Sequence, residues 1–188
     1  MGIDPGSIQA GYAVIDIMTE DVRNKKISAP QVSIRSSGTI KMDEKQNLAT
    51  RLLQLGDDLD VLLKKHQPQE LALESIFFAK NARSAIQLGQ SRGVCLFMAA
   101  KYNLEIFEYS PTQVKAAIGG SGRASKEQIQ HMVRVFLRLP AHYEFVSHDH
   151  ADALAIALAH VHSRENSLGR LIARDCTTKR KTSLSESD

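Results

Sequence analysis

The stretch that most constrains the fold runs from Glu70 to Gly93, ELALESIFFAKNARSAIQLGQSRG. It opens on the apolar triplet Leu71-Ala72-Leu73, which reads as a buried strand. A long helical pattern follows over 82–101. Glu74 stands where the apolar run gives out. Charged side chains are seldom fully buried unless paired or metal-bound. This carboxylate therefore either emerges into solvent at the sheet edge or has a task there. The adjacent rings Phe77 and Phe78 leave a similar choice beside the basic turn Lys80-Asn81-Ala82-Arg83. They pack in the core, or they stack on bases next to cations.

The chain has 188 residues, enough for one domain with a sizeable core. A net charge of +3 permits a nucleic-acid partner without requiring one. The two cysteines, Cys95 and Cys176, are too far apart in sequence and too few for a disulfide framework or a zinc site, which favours a reducing cytoplasm. No apolar run approaches membrane-spanning length, so no membrane association is expected.

Asp4 lies at the tip of a first short strand, before the turn Pro5-Gly6-Ser7. Residues 11–17 read as a second strand and 19–30 as a charged hairpin loop. Residues 32–42 read as a third strand with an irregularity at Ser36-Ser37-Gly38. Leucines at 48, 52, 55, 59 and 62 predict an amphipathic helix over 44–66, ended by Pro68. The 82–101 helix is apolar over much of its circumference, with Gly89 and Gly93 on one face. Burial within one subunit and a dimer interface explain that equally well. A strand over 104–109 follows. Ser110 and Pro111 then start a helix, and Ser125 with Gln128 makes a capping-box spacing for the next. The glycine-rich loop 119–124 lacks the spacing of a nucleotide-binding loop. Residues 147–160 are Ala- and Leu-rich and helical. Asp149 and Asp152 share one face of the first turn, a position the helix dipole favours for any acid. After Arg164 the apolar periodicity stops, so 1–164 is the expected domain and 165–188 a disordered polar tail.

Asp4, Glu74, Asp149 and Asp152 each stand at the end of an element. Strand tips and a helix start can meet at one edge of an α/β sheet. Four oxygen-donor acids gathered there would repel one another unless a hard divalent cation relieved them, which favours Mg²⁺ or Mn²⁺. Two such ions about 4 Å apart suit phosphodiester cleavage. Lys80, Arg83, Lys115, Arg123 and Lys126 would then hold phosphates.

The sequence resembles the RuvC-type Holliday junction resolvases. The matching blocks are Gly2 to Ser7 with Gly11-Tyr12; Glu74 with Phe77, Ala79-Lys80-Asn81, Ser84-Ala85 and Leu88 to Gly93; Glu108-Tyr109 with Gln113-Val114-Lys115; Lys126 with Gln130 to Val133; and Asp149 to Ala157. The resemblance implies an α/β, ribonuclease-H-like three-layer fold with a mixed sheet of about five strands flanked by helices. It implies a homodimer and two Mg²⁺ ions per subunit, with Mn²⁺ able to substitute. It also implies symmetrical nicking of four-way DNA junctions in recombination and repair, alongside the RuvA–RuvB branch-migration complex. By position, Asp4, Glu74, Asp149 and Asp152 become metal ligands and catalytic residues. Phe77 becomes the ring set against unstacked bases, and Lys115 and Lys126 become DNA contacts near the cut. His148 and His150 flank the third ligand and are either auxiliary groups or exposed helix-start histidines. Two alternatives remain: a related nuclease acting on another branched DNA or structured RNA, and a junction-binding dimer without catalysis. A duplicated sugar-kinase-type ATPase would need a second domain for which this length has no room.

Overall fold

The computed structural model describes residues 1–18, 31–75 and 82–164. The charged stretch 19–30, the segment carrying Phe77, Phe78, Lys80 and Asn81, and the polar tail lie outside the described residues. Five strands form one mixed sheet: β1 (Gly2–Asp4), β2 (Gln9–Met18), β3 (Gln31–Lys41), β4 (Glu70–Glu74) and β5 (Glu105–Tyr109). Their order across the sheet is β3-β2-β1-β4-β5. β1, β2 and β3 pair antiparallel, whereas β1–β4 and β4–β5 pair parallel. The parallel half needs helical crossovers. β4 is joined to β5 through α2 (Ala82–Lys101), and α1 (Leu48–His66) lies between β3 and β4. Three helices follow β5: α3 (Pro111–Gly119), α4 (Lys126–Phe136) and α5 (148–164).

Strand alternation sends side chains to two separate cores. Ile3, Leu71 and Leu73 meet Leu55, Leu59 and Leu63 of α1 and Cys95, Met98 and Ala99 of α2. On the other face, Ala13 and Ala72 meet the alanine-rich α5, with α3 and α4 outside it. Under α5 this face carries Gly2, Gly11, Ala13 and Ala72, and their small size brings α5 hard against the sheet. A Cβ at Gly2 would fall 2.5 Å from the Ala153 carbonyl oxygen. One at Gly11 would fall 1.8 Å from that of Asp149. Glycine is needed at both positions for close approach.

The helix starts follow capping chemistry. α1 begins at Leu48 rather than near residue 44, because the Asn47 side chain accepts the Thr50 N–H and fixes the start. Before it, Asp43 holds the Lys45 N–H in a turn instead of a helix. Ser110/Gln113 and Ser125/Gln128 both close as reciprocal capping boxes. The β2–β3 ladder slips between Val14 and Ile15, whose partners are Ser36 and Ile34. Arg35 is therefore the extra residue, one position before the expected Ser36-Ser37-Gly38 irregularity. Its guanidinium reaches Asp16 and the His66 carbonyl. None of the helices among the described residues is long and apolar enough to cross a membrane.

Candidate active site

The C-terminal ends of β1 and β4 lie side by side in the sheet, with Gly2↔Ala72 and Ile3↔Leu73 in register. Their next residues are Asp4 and Glu74. On the other side of β1, Asp4 pairs with Gly11, the glycine over which the start of α5 lies. Ser147 caps that start by accepting the His150 N–H. Asp149 and Asp152 follow in the first turn. Two strand ends and one helix start thus bring all four acids to a single corner of the sheet.

The electrostatics report the same convergence. Burial, and then the charges of Glu74, Asp152 and Asp149, raise the Asp4 carboxyl to a pKa of about 8. Lys126 pulls in the opposite direction. Glu74 is also raised, first by burial and then by Asp152, against the pull of Lys126 and Lys115. Asp149 accepts a 2.6 Å bond from the Gln9 side-chain amide. Asp152 takes the Lys126 ammonium at 3.2 Å. Beside these acids, a cleft of about 240 Å³ is lined by Glu74, Lys115, Lys126 and Asp152 over Ile129 and Ile156. Among the described residues, no three acidic, His or Cys groups are yet drawn together as a cage for an ion. Asp149 and Asp152 are instead engaged by Gln9 and Lys126. The donor set still fits a hard divalent cation, because every group is a carboxylate and the most enclosed of them is disfavoured as an anion.

Comparison with known proteins settles the family. The sequence profile of "Crossover junction endodeoxyribonuclease RuvC" matches residues 1–160. The chain belongs to the RuvC family. A relative of that description from Chromohalobacter salexigens is 44% identical over 165 residues, covering 88% of this chain and 81% of that protein. The structure of Thermus thermophilus RuvC superposes with a TM-score of 0.77 at 29% identity, over 88% of this chain and 95% of that one. T. thermophilus RuvC in complex with Holliday junction substrate gives a TM-score of 0.74 at 26% identity, over 87% and 93%. The ribonuclease-H-like mixed sheet with flanking helices is therefore the fold of this RuvC-family chain.

The other expected site residues are distributed unevenly. Lys115 on α3 and Lys126 at the start of α4 flank the acids. Arg123 is exposed in the turn between those helices, and Arg83 is exposed on the first turn of α2. The structure does not bring these two arginines into the lining of the cleft. Phe77 and Lys80 lie outside the described residues. His148 is exposed. His150 is not an exposed helix-start histidine: only 1% of it is accessible. Its Nδ1 accepts the Val146 N–H, and its Nε2 meets Ser37 Oγ at 2.9 Å. Burial lowers its pKa, so it sits as a neutral ring joining α5 to β3.

Two residues at the site escape sequence reasoning. Gln9 looks like any polar residue at a strand start, but its amide holds Asp149. Arg92 reads as one charge on a mostly apolar helix, but it holds the main chain of Glu74 at 3.3 Å. The signal for Arg92 was that misplaced charge. Gln9 gave none.

Proposed function

We propose that this chain is a structure-selective endonuclease that resolves four-way DNA junctions by paired phosphodiester nicks, with Asp4, Glu74, Asp149 and Asp152 as its catalytic carboxylates. The supporting observation is the meeting of these four acids at one sheet corner in a chain of the RuvC family. Together they would hold Mg²⁺, two ions per subunit, with Mn²⁺ as a substitute. Held by these carboxylates, such ions would supply activation of a water and stabilisation of the leaving oxygen. The protein's own groups do the rest. β1, β4 and α5 hold the carboxylates on rigid elements. Lys115 and Lys126 line the cleft and supply cations for DNA phosphates. Lys126, now on Asp152, can turn to a phosphate once the acids are otherwise neutralised. Phe77 is proposed to stack on a base opened at the junction, with Lys80, Arg83 and Arg123 as outer phosphate contacts.

Four-way junctions have two-fold symmetry, and a homodimer would set two equal sites against them. Two exposed apolar side chains on one face of α2 support this assembly: Ile86 is 63% exposed and Phe97 67%. A Cβ at Gly93, between them in the chain, would meet nothing. Among the described residues nothing covers these two side chains, which favours the dimer interface of the two readings of this helix. Action with a RuvA–RuvB complex rests on the family resemblance.

The test is to replace the acids singly: Asp4→Asn, Glu74→Gln, Asp149→Asn and Asp152→Asn. Each should slow junction cutting by about 100-fold or more, a loss of about 2.7 kcal/mol of transition-state stabilisation. Junction binding measured without divalent cations should persist, because the basic groups remain. A variant that still cuts at the parent rate removes its residue from the site.

A further inference from the structure

Arg92 follows the buried Ser91 on α2, and its side chain is only 14% exposed. A guanidinium so enclosed needs partners. Its Nη2 pairs with Glu108 Oε2 at 2.6 Å. Its Nε donates to the main-chain carbonyl of Glu74 at 3.3 Å. Glu108 lies on β5 opposite Leu73, the residue before Glu74. From the β5 side, the Ser75 N–H donates to the Tyr109 carbonyl at 2.8 Å.

The Glu74 carbonyl and the Ser75 N–H belong to one peptide unit. One is taken by α2 and the other by β5. This peptide lies where β4 ends, so without the two bonds its plane could rotate. Holding the plane fixes ψ of Glu74, and hence the direction from which its side chain enters the acidic corner. We propose that Arg92 is a positioning residue for Glu74, acting through the main chain rather than through substrate. The proposal rests on the reading of Glu74 as a catalytic carboxylate. A displacement of about 1 Å in a reacting group can cost about 10²-fold in rate. Losing Arg92 should therefore lower the cutting rate and leave junction affinity alone.

The test compares Arg92→Met, Arg92→Lys and Glu108→Gln in the full chain. Single-turnover cutting, junction affinity without divalent cations, melting temperature and amide exchange at Ser75 are measured on each. Arg92→Met should cut about 10- to 100-fold more slowly. It should bind the junction within about two-fold of the parent and exchange the Ser75 proton faster without metal. Lysine lacks the planar fork and can serve one partner at a time, so Arg92→Lys should recover part of the rate. Glu108→Gln removes the ion pair but keeps the Arg92 bond to Glu74. It should lose as much thermal stability as Arg92→Met and cut nearly as fast as the parent.

Cutting by folded Arg92→Met at the parent rate overturns the proposal. So does equal slowing by Glu108→Gln, since Arg92 would then act only as a brace between α2 and β5. Failure of the underlying reading is separate: Glu74→Gln would itself still cut.

Discussion

Asp4 carries the sharpest conflict at the level of single residues. β1 places it beside Glu74 in the sheet, and α5 adds two more acids. Its pKa is raised to about 8, with burial the largest cause and the neighbouring carboxylates next. An unfolded chain would ionise it near 3.8. The native state therefore holds a proton that the unfolded state has lost across that window. The associated stability is fully present below about pH 4 and is lost as pH rises through about 8. The metal-free protein should accordingly melt at a lower temperature at pH 8.5 than at pH 6. Asp4→Asn should reduce that difference and raise the melting temperature at pH 8.5, while abolishing cutting. One kilocalorie per mole corresponds to about 2–4 °C in a chain of this size. Calorimetry in chelator at the two pH values measures it. A parent pH difference unchanged in Asp4→Asn would show that Asp4 is not the group that links stability to pH here. Cys95 marks a contrast: burial pushes its thiol up to about 12, which leaves it an inert core side chain.

At the level of elements, the acidic corner depends on how closely α5 lies on the sheet. Gly11 sets that distance, because its missing side chain leaves room for the Asp149 carbonyl. Gly11→Ala should push the start of α5 outward and carry Asp149 and Asp152 away from Asp4. The expected result is a loss of about 1–3 kcal/mol in denaturant unfolding, as for other overpacked sites, and at least a ten-fold drop in cutting. Parent-like activity would mean that α5 can tilt without moving its acids. Much of this arrangement was legible in the sequence. The periods of α1, α2 and α5, the Ser110 and Ser125 caps, and the four acids at element ends could all be read directly. These features depend on neighbours in the chain. Residues 44–47 carry no stop signal, so the leucine spacing alone starts α1 too early; the Asn47 cap decides the boundary. The burial of His150 is not legible in the sequence, because its partner, Ser37, is 113 residues away. The contacts of Gln9 with Asp149 and of Arg92 with Glu74 likewise join residues distant in the chain.

For the whole molecule, the exposed face of α2 is one that the described residues leave uncovered. Ile86, Gly93 and Phe97 are spaced seven and four apart, so they follow one face of the helix. The opposite face, through Ser91, Cys95 and Met98, is already buried against the sheet. If a second copy covers the exposed stripe, Phe97 is removed from water in both subunits at once. Burying a side chain of this size is worth about 1.5–3 kcal/mol, and two-fold symmetry counts it twice. Each 1.4 kcal/mol is a factor of ten in affinity. Phe97→Asp should therefore weaken self-association by about 100-fold or more. The fold of each subunit should survive, because the ring makes no core. Sedimentation at micromolar concentration should show the parent as a dimer and the variant as a monomer, with similar melting curves at low concentration. On a four-way junction the variant should lose paired cutting and leave singly nicked products. A monomeric parent that still makes paired cuts would remove the α2 face from the assembly. A dimeric Phe97→Asp would place the interface elsewhere on the surface.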